Sequence, residues 1–297
     1  MSNKLRKMTL EKKHNLTGWA FLAPATFLIA VFSFWPMIKA LVLSFQTGKG
    51  RNMQMAGFTN YIRMFQDDVF IQSIKNTFFY FIIQVPIMLV VALVLACILN
   101  KKDLRFKGFF RTMIFVPCTT SLVAYSIIFR SLFANNGLVN YVLVNLGILD
   151  KPYNFLTQPF AAKMVIILAL LWRWTGYNMV FFLSGLQNIE YSVYEAAKID
   201  GASAIQTFFK ITVPLLKPTI LLTAIMSTNG TLQLFDESIN LTDGGPANAS
   251  ISMSHYIYNL CFKYVPNFGY AAAMSFFILL LVAVLAFIQM RVGDKRD

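Results

Sequence analysis

The chain has 297 residues, of which 57% are hydrophobic and only 13% are charged. A soluble globular domain carries about 25% charged residues, so the composition argues against a soluble protein and favours a single membrane domain. The formal net charge of +13 comes from basic residues placed between apolar runs. The positive-inside rule explains that pattern without a nucleic-acid partner, and the lipid bilayer is the expected surrounding.

Six apolar stretches are long enough, or nearly so, to cross a membrane as helices of about 20 residues. They cover residues 18–45, 77–99, 109–133, 160–186, 219–241 and 270–290. The third and fifth are the weakest, because polar residues interrupt them at 119–121 and 227–233. Polar groups in a spanning helix face protein or a water-filled cavity. The sequence therefore predicts an all-α integral membrane protein with six transmembrane helices.

The first stretch follows a basic segment but is longer than the roughly 7–15 apolar residues of a signal peptide. We interpret it as a retained first helix. The chain then divides into a basic N-terminal tail over residues 1–17, a six-helix domain over 18–291 and a C-terminal tail over 292–297. Lys and Arg are concentrated in both tails, around residues 101–107, and from 198 to 217. This distribution places both termini and the connection between helices 4 and 5 in the cytoplasm.

Ionisable residues near membrane depth are few. Arg173 is near the middle of the fourth stretch, which indicates a functional role, with a structural Arg bound to backbone carbonyls as the equal alternative. Asp236 and Glu237 fall near the outer end of the fifth stretch, where we expect them to reach water. The sequence has no paired carboxylates, metal cluster or nucleophile–base motif at this depth, and no phosphate-binding loop. We therefore expect no enzymatic activity and no cofactor bound by this chain.

The connection over residues 190–218 is too polar to span a membrane and too apolar to be disordered. Helix formers run from Tyr194 to Ile199, and Gly201 then permits a sharp break. A second helical segment continues to about residue 211, and two prolines restrict the start of helix 5. The pattern predicts two short helices joined by a bend and projecting into the cytoplasm.

The same connection closely resembles the EAA loop of ATP-binding-cassette (ABC) importer permeases: Glu-Ala-Ala, three residues, Gly, nine residues, Ile, one residue, an aliphatic and Pro. The matching residues are Glu195, Ala196, Ala197, Gly201, Ile211 and Pro214. Asp200, Gly201, Ala202, Phe208 and Pro218 are similar to the sugar-transporting branch. Val213 stands where Leu is commoner.

Shorter motifs extend the resemblance along nearly the whole chain. Leu241-Thr242-Asp243-Gly244-Gly245-Pro246 resembles the Leu-Thr-Gly-Gly-Gly-Pro turn before the last helix, with Asp243 in place of Gly. Ala23-Pro24-Ala25, Gly57-Phe58 and Phe109-Phe110-Arg111 are similar to the earlier segments. The turn motif favours the larger maltose-type permease over its paralogous partner type.

This resemblance implies a type I ABC importer permease in a bacterial-type cell membrane, translocating a di- or oligosaccharide. An extracytoplasmic binding protein would deliver the sugar. A second, paralogous permease would complete a heterodimer on two copies of a cytoplasmic ABC ATPase, which bind ATP and Mg²⁺. The EAA loop would be the coupling helix seated in a cleft of the ATPase. Two alternatives stay open, a glycerol-3-phosphate or polyol permease and an ion-coupled secondary transporter.

A sugar site needs aromatic platforms together with amide or hydroxyl partners. Candidates are Trp174, Tyr177 and Asn178 on helix 4, and Asn229 and Gln233 on helix 5. Asn229 and Gln233 are four residues apart and share one helix face, which favours a cavity. For a tryptophan alone, helix packing or lipid contact is the stronger alternative. Arg173 would be the basic partner that a phosphate substrate requires.

Overall fold

The computed structural model describes residues 10–49, 52–101 and 103–293, and it is almost entirely helical. The helices in chain order are α1 (Leu10–Ile29), α2 (Trp35–Ser44), α3 (Thr59–Met64), α4 (Asp68–Leu99), α5 (Lys107–Thr119), α6 (Leu122–Leu132), α7 (Leu138–Asn145), α8 (Pro159–Gln187), α9 (Tyr191–Ile199), α10 (Ala204–Thr207), α11 (Val213–Leu215), α12 (Lys217–Leu232), α13 (Asp236–Thr242), α14 (Met253–Tyr258) and α15 (Phe268–Gly293). Turns of π-helix over Ala30–Phe34, Phe208–Thr212 and Asn259–Lys263 follow α1, α10 and α14. A short antiparallel ribbon pairs β1 (Gln46–Lys49) with β2 (Asn52–Met55).

Within the described residues, four helical stretches are long and apolar enough to cross a membrane: His14–Ser44, α4, α8 and α15. Two further spans are broken. Helices α5 and α6 meet at 98°, and the helical stretch Ala204–Leu215 meets α12 at 71°. Counting each bent pair as one crossing gives up to six, which confirms the predicted six-helix membrane fold.

The third span breaks where the sequence places its polar residues. Helix α5 ends at Thr119, and Thr120 and Ser121 adopt extended backbone angles before α6 begins. The hydroxyls of Thr119 and Thr120 donate to the carbonyls of Val116 and Pro117, at 2.8 and 2.6 Å. Such local side-chain bonds give partners to carbonyls near the end of the helix.

The fifth span is shorter than predicted. Helix α12 ends at Leu232, whereas the predicted stretch runs to residue 241, and Phe235 has φ −133° and ψ −59°. The chain then forms the separate short helix α13, which packs against α6. The apolar residues of this segment are therefore buried by folding back on the third span, and hydropathy alone does not distinguish that outcome from a longer helix.

The core lies where α4 packs on α8. Tyr80, Ile166 and Leu170 are buried at one end of this contact, and Met179 and Phe182 are buried at the other. Helix α15 packs against α2 on one side and α12 on the other.

The described part of the first helix already includes Leu10, which lies inside the predicted N-terminal tail. None of its most apolar stretch is buried against the rest of the chain. Residues 1–9 of that tail and residues 294–297 of the C-terminal tail lie outside the described residues, as does Lys102 of the basic 101–107 segment.

Candidate functional site

A cavity of about 300 Å³ lies between α4, α8 and α12, beside the break that follows α12. Its polar lining consists of Gln84, Asn178, Ser227, Thr231, Gln233, Asp236 and Glu237. Its ring-bearing lining consists of Trp174, Tyr177 and Phe235. Amides, hydroxyls and aromatic faces in one concave site are the groups that bind a polyhydroxylated ligand.

Hydrogen bonds between helices hold this polar wall in place. Thr231 on α12 donates to the side-chain oxygen of Gln84 on α4, at 2.9 Å. Ser227 on α12 donates to the side-chain oxygen of Asn178 on α8, at 3.3 Å, and Asn178 donates to the backbone carbonyl of Trp174, at 3.0 Å. A ligand entering the cavity meets amides whose orientation is already set by α4, α8 and α12.

Four of the predicted substrate-pathway residues line the cavity: Trp174, Tyr177, Asn178 and Gln233. Asn229 lies next to it, exposed, and its side-chain oxygen accepts a hydrogen bond from Gln233. The two amides are therefore neighbours, as their spacing predicts, although Gln233 is the residue that caps the end of α12.

Arg173 lies outside the cavity wall and is only 6% exposed. Its guanidinium donates to the backbone carbonyls of Thr120 at 2.8 Å and Cys118 at 3.4 Å. The ring centroids of Tyr125 and Trp174 lie 4.8 and 5.3 Å from it. Arg173 thus contacts backbone carbonyls, as its structural alternative expects, and no guanidinium lies among the residues that line the cavity.

Glu237 does not reach water, and the expectation that it would is wrong. It is 4% exposed, and the hydroxyl of Tyr125 donates a hydrogen bond to its carboxylate. The expectation treated residue 237 as part of one straight helix, whereas α13 turns back onto α6. Gln84, Thr231 and Glu237 are site residues that the sequence argument missed. Gln84 could have been found, because a lone amide in an apolar span indicates a polar contact.

The loop over residues 190–218 has the predicted shape. Helix α9 carries Glu195, Ala196 and Ala197, and Gly201 follows with φ +75°. The backbone N–H of Ala202 donates to the carbonyl of Ala197 at 2.9 Å, so Gly201 caps the helix in the left-handed conformation.

A second helical segment begins at a capping box, in which Ser203 and Gln206 bond to each other's backbone N–H groups. It continues through Ile211 and Pro214 to Leu215. The two short helices and the bend at Gly201 are confirmed.

One side of this loop packs against the helical core and the other side is exposed. Phe208 packs against the buried cluster at the ends of α4 and α8, and Ala197 is buried. At the bend, Ile199 is 86% exposed and Ile205 is 72% exposed. Large apolar side chains flanking an exposed turn are typical of a protein contact surface. A recess of about 880 Å³ separates the loop from the ends of α4 and α8.

The broken spans, the cavity with its amide, hydroxyl and aromatic groups, and the anchored loop are the features of a membrane transport component. Residues 69–296 match the family of binding-protein-dependent transport system inner membrane components, and the chain belongs to this family.

The lactose transport system permease protein LacF of Rhizobium radiobacter is 51% identical over 98% of both chains. The multiple sugar-binding transport system permease protein MsmF of Streptococcus mutans is 33% identical over 97% of this chain and 99% of its own.

Solved structures show the same fold. A bacterial alginate ABC transporter, in complex with a periplasmic protein bound to alginate pentasaccharide, contains a chain that superposes with a TM-score of 0.84. The two chains are 25% identical, over 95% of this chain and 96% of that one. A second structure of a bacterial ABC transporter that imports alginate gives a TM-score of 0.85 at 23% identity, over 96% and 97% of the two chains.

Proposed function

We propose that this chain is the membrane-spanning permease subunit of an ABC importer and that its substrate is an uncharged disaccharide of the lactose type. The observation that carries this proposal is the 51% identity to a lactose permease over 98% of both chains. The cavity supports it as well, because three neutral amides, two hydroxyls and three aromatic rings lie in its otherwise largely aliphatic lining. Trp174 and Tyr177 are platforms for the sugar rings, and Asn178 and Gln233 are hydrogen-bonding partners for the hydroxyls.

The partners follow from surfaces that this chain leaves uncovered. A paralogous permease would cover part of the first span, whose most apolar stretch is unburied. Two copies of an ABC ATPase would hold ATP and Mg²⁺, and one of them would receive the bend at Gly201 between the exposed Ile199 and Ile205. An extracytoplasmic protein would deliver the sugar, as the alginate complex supports for its own chain. ATP hydrolysis then occurs on a separate chain.

The orientation belongs to the same proposal. Both termini and the loop over residues 190–218 are cytoplasmic, on the side where Lys and Arg are concentrated. ATP-driven closure of the ATPases would move a rigid loop, and the broken spans would convert that motion into inward- and outward-facing cavities.

A phosphorylated substrate is disfavoured by the position of Arg173. Its guanidinium is engaged with backbone carbonyls, and the residues lining the cavity include Asp236 and Glu237 and neither Lys nor Arg. An anionic substrate would therefore meet carboxylates without a basic partner. The ion-coupled alternative gains one feature, the buried Glu237, but it gives no role to the coupling loop.

Reconstitution separates these energy sources. Proteoliposomes would contain this chain, its partner permease, the ATPase and the binding protein, and labelled lactose uptake would be measured with ATP on the ATPase side. We expect uptake that requires ATP and survives a protonophore. A variant ATPase without its phosphate-loop lysine is the control. Uptake that persists with this ATPase and is abolished by the protonophore would overturn the proposal.

A further inference from the structure

Arg173, Tyr125 and Glu237 form a continuous series of contacts between the bend in the third span and α13, the short helix that follows α12. They lie on α8, α6 and α13, and each is buried. Neither the proposed sugar contacts nor the coupling loop uses them. Three buried polar side chains from three elements, joined in sequence, call for an explanation beyond packing.

At one end of this series of contacts, Arg173 stabilises the bend between α5 and α6 in the third span. Cys118 and Thr120 lie at the end of α5, where the last carbonyls of a helix have no partner in the helix. The guanidinium of Arg173 donates to both carbonyls, at 3.4 and 2.8 Å. A cation at a helix C-terminus is also favoured by the helix dipole. The bend of 98° between α5 and α6 is therefore fastened to α8.

Tyr125 contacts both the guanidinium of Arg173 and the carboxylate of Glu237. It is fully buried, its ring centroid lies 4.8 Å from the guanidinium of Arg173, and its hydroxyl donates to the carboxylate of Glu237. The aromatic face attracts a cation, while the hydroxyl satisfies a buried anion. One side chain on α6 thus contacts both charged groups.

The Glu237 end reaches the cavity. Glu237 and its neighbour Asp236 line the cavity wall, immediately after the break that ends α12 at Leu232. A ligand that displaces or orders this wall acts on the same carboxylate that Tyr125 binds. The contacts therefore run from the cavity, through α13, α6 and α8, to the end of α5.

We propose that Arg173, Tyr125 and Glu237 are positioning residues that make the bend in the third span and the break between α12 and α13 move as one unit when sugar occupies the cavity. A polypeptide can change direction at a break between two helices. If the α5–α6 bend and the break after α12 were independent, the cavity wall could move without the third span. Buried contacts that link the two breaks make them move together between two conformations. The proposal rests on the proposed function, because it concerns transport by the same cavity.

The test uses Tyr125→Phe, which removes one hydroxyl and keeps the ring over Arg173. In the reconstituted complex, the ratio of ATP hydrolysis with sugar-loaded binding protein to hydrolysis without it should fall about tenfold or more, the effect of losing one buried hydrogen bond to a charged group. Tyr141→Phe on α7 makes the same chemical change at a residue that is 68% exposed, and it should leave the ratio unchanged. Ratios are taken per mole of monodisperse complex, so a loss of folded material does not alter them.

A second variant and a spectroscopic measurement test the proposal in addition to Tyr125→Phe. Glu237→Gln keeps an oxygen that accepts from Tyr125 and should retain more of the ratio than Tyr125→Phe. Spin labels at Ile128 on α6 and Asn240 on α13, in a cysteine-free background, should give one narrow distance distribution in each nucleotide state. Tyr125→Phe should broaden it. Wild-type ratios in both variants, with unbroadened distances, would overturn the inference. Failure of the unsubstituted complex to import sugar would count against the proposed function instead.

Discussion

Gly176 on α8 faces the carbonyl oxygen of Ile114 on α5 so closely that an added β-carbon would overlap that oxygen. The fourth span therefore contacts the first half of the third span backbone to backbone, in the way that small residues permit between membrane helices. The contact lies on the α5 side of the break, and Arg173, three residues earlier on α8, fastens the break itself. Together these two contacts fix the bent third span on α8.

Gly176→Ala should destabilise the protein by about 1–3 kcal/mol, because the overlap is with backbone that cannot rotate away. The measurement is the thermal unfolding midpoint of the purified permease complex. Gly108→Ala, on α5 with open space around the new methyl group, is the matched control and should leave the midpoint unchanged or raise it. Equal midpoints for the two variants would show that the helices separate easily at this point.

Gln233→Leu should lower the maximal rate of sugar uptake by about tenfold at saturating binding protein, since one hydrogen-bonding partner of the sugar is lost from the cavity wall. Uptake is measured in proteoliposomes with matched amounts of assembled complex. Asn145→Leu removes an exposed amide from α7 and is the control. A wild-type rate in Gln233→Leu would remove this residue from the substrate path.

Sequence reasoning identifies the loop and the number of spans but not their bends. The spacing of Glu195, Gly201 and Pro214 is local, and each residue constrains its own backbone, so the two short helices are predictable. The break after Leu232 is not, because the position of α13 depends on its packing against α6 and α8, which are distant from it in the sequence. Glu237 was misplaced for the same reason, since its burial depends on Tyr125, 112 residues earlier in the chain.

His255 should make the stability depend on pH. It lies outside the spanning helices, fully buried, with its Nδ1 atom 2.9 Å from the hydroxyl of Ser238. Burial lowers the pKa of His255 to about 4, an effect that nearby Asp243 opposes and Lys263 reinforces. The folded protein therefore holds the ring neutral, whereas the unfolded chain binds a proton near the ordinary pKa of about 6.5. The contribution of the neutral His255 ring to the free energy of unfolding is complete above about pH 6.5 and is lost as the pH falls toward 4.

The measurement is the unfolding midpoint between pH 7 and pH 4. The midpoint should fall on acidification. The midpoint of His255→Asn should fall less steeply, because the Asn side chain does not titrate in this range. His14→Asn, at an exposed position on α1, should follow the unsubstituted protein. Identical slopes for His255→Asn and the unsubstituted protein would place the acid sensitivity elsewhere.

The coupling loop offers the most direct test of the whole account, because the chain provides a matched pair of glycines. Gly201 and Gly147 have φ +75° and +69°, and nothing lies within 4 Å of a β-carbon added at either. Aspartate therefore meets similar backbone strain and open space at both positions. Only Gly201 lies at the bend that we assign to the ATPase.

The decisive measurement is ATPase co-purification together with sugar-stimulated ATP hydrolysis in the reconstituted complex, for Gly201→Asp and Gly147→Asp. We predict that Gly201→Asp releases the ATPase or abolishes the stimulation, while Gly147→Asp retains both. Retention of both at the unsubstituted level in Gly201→Asp would contradict the assignment of the loop and, with it, the proposed ATP-driven mechanism.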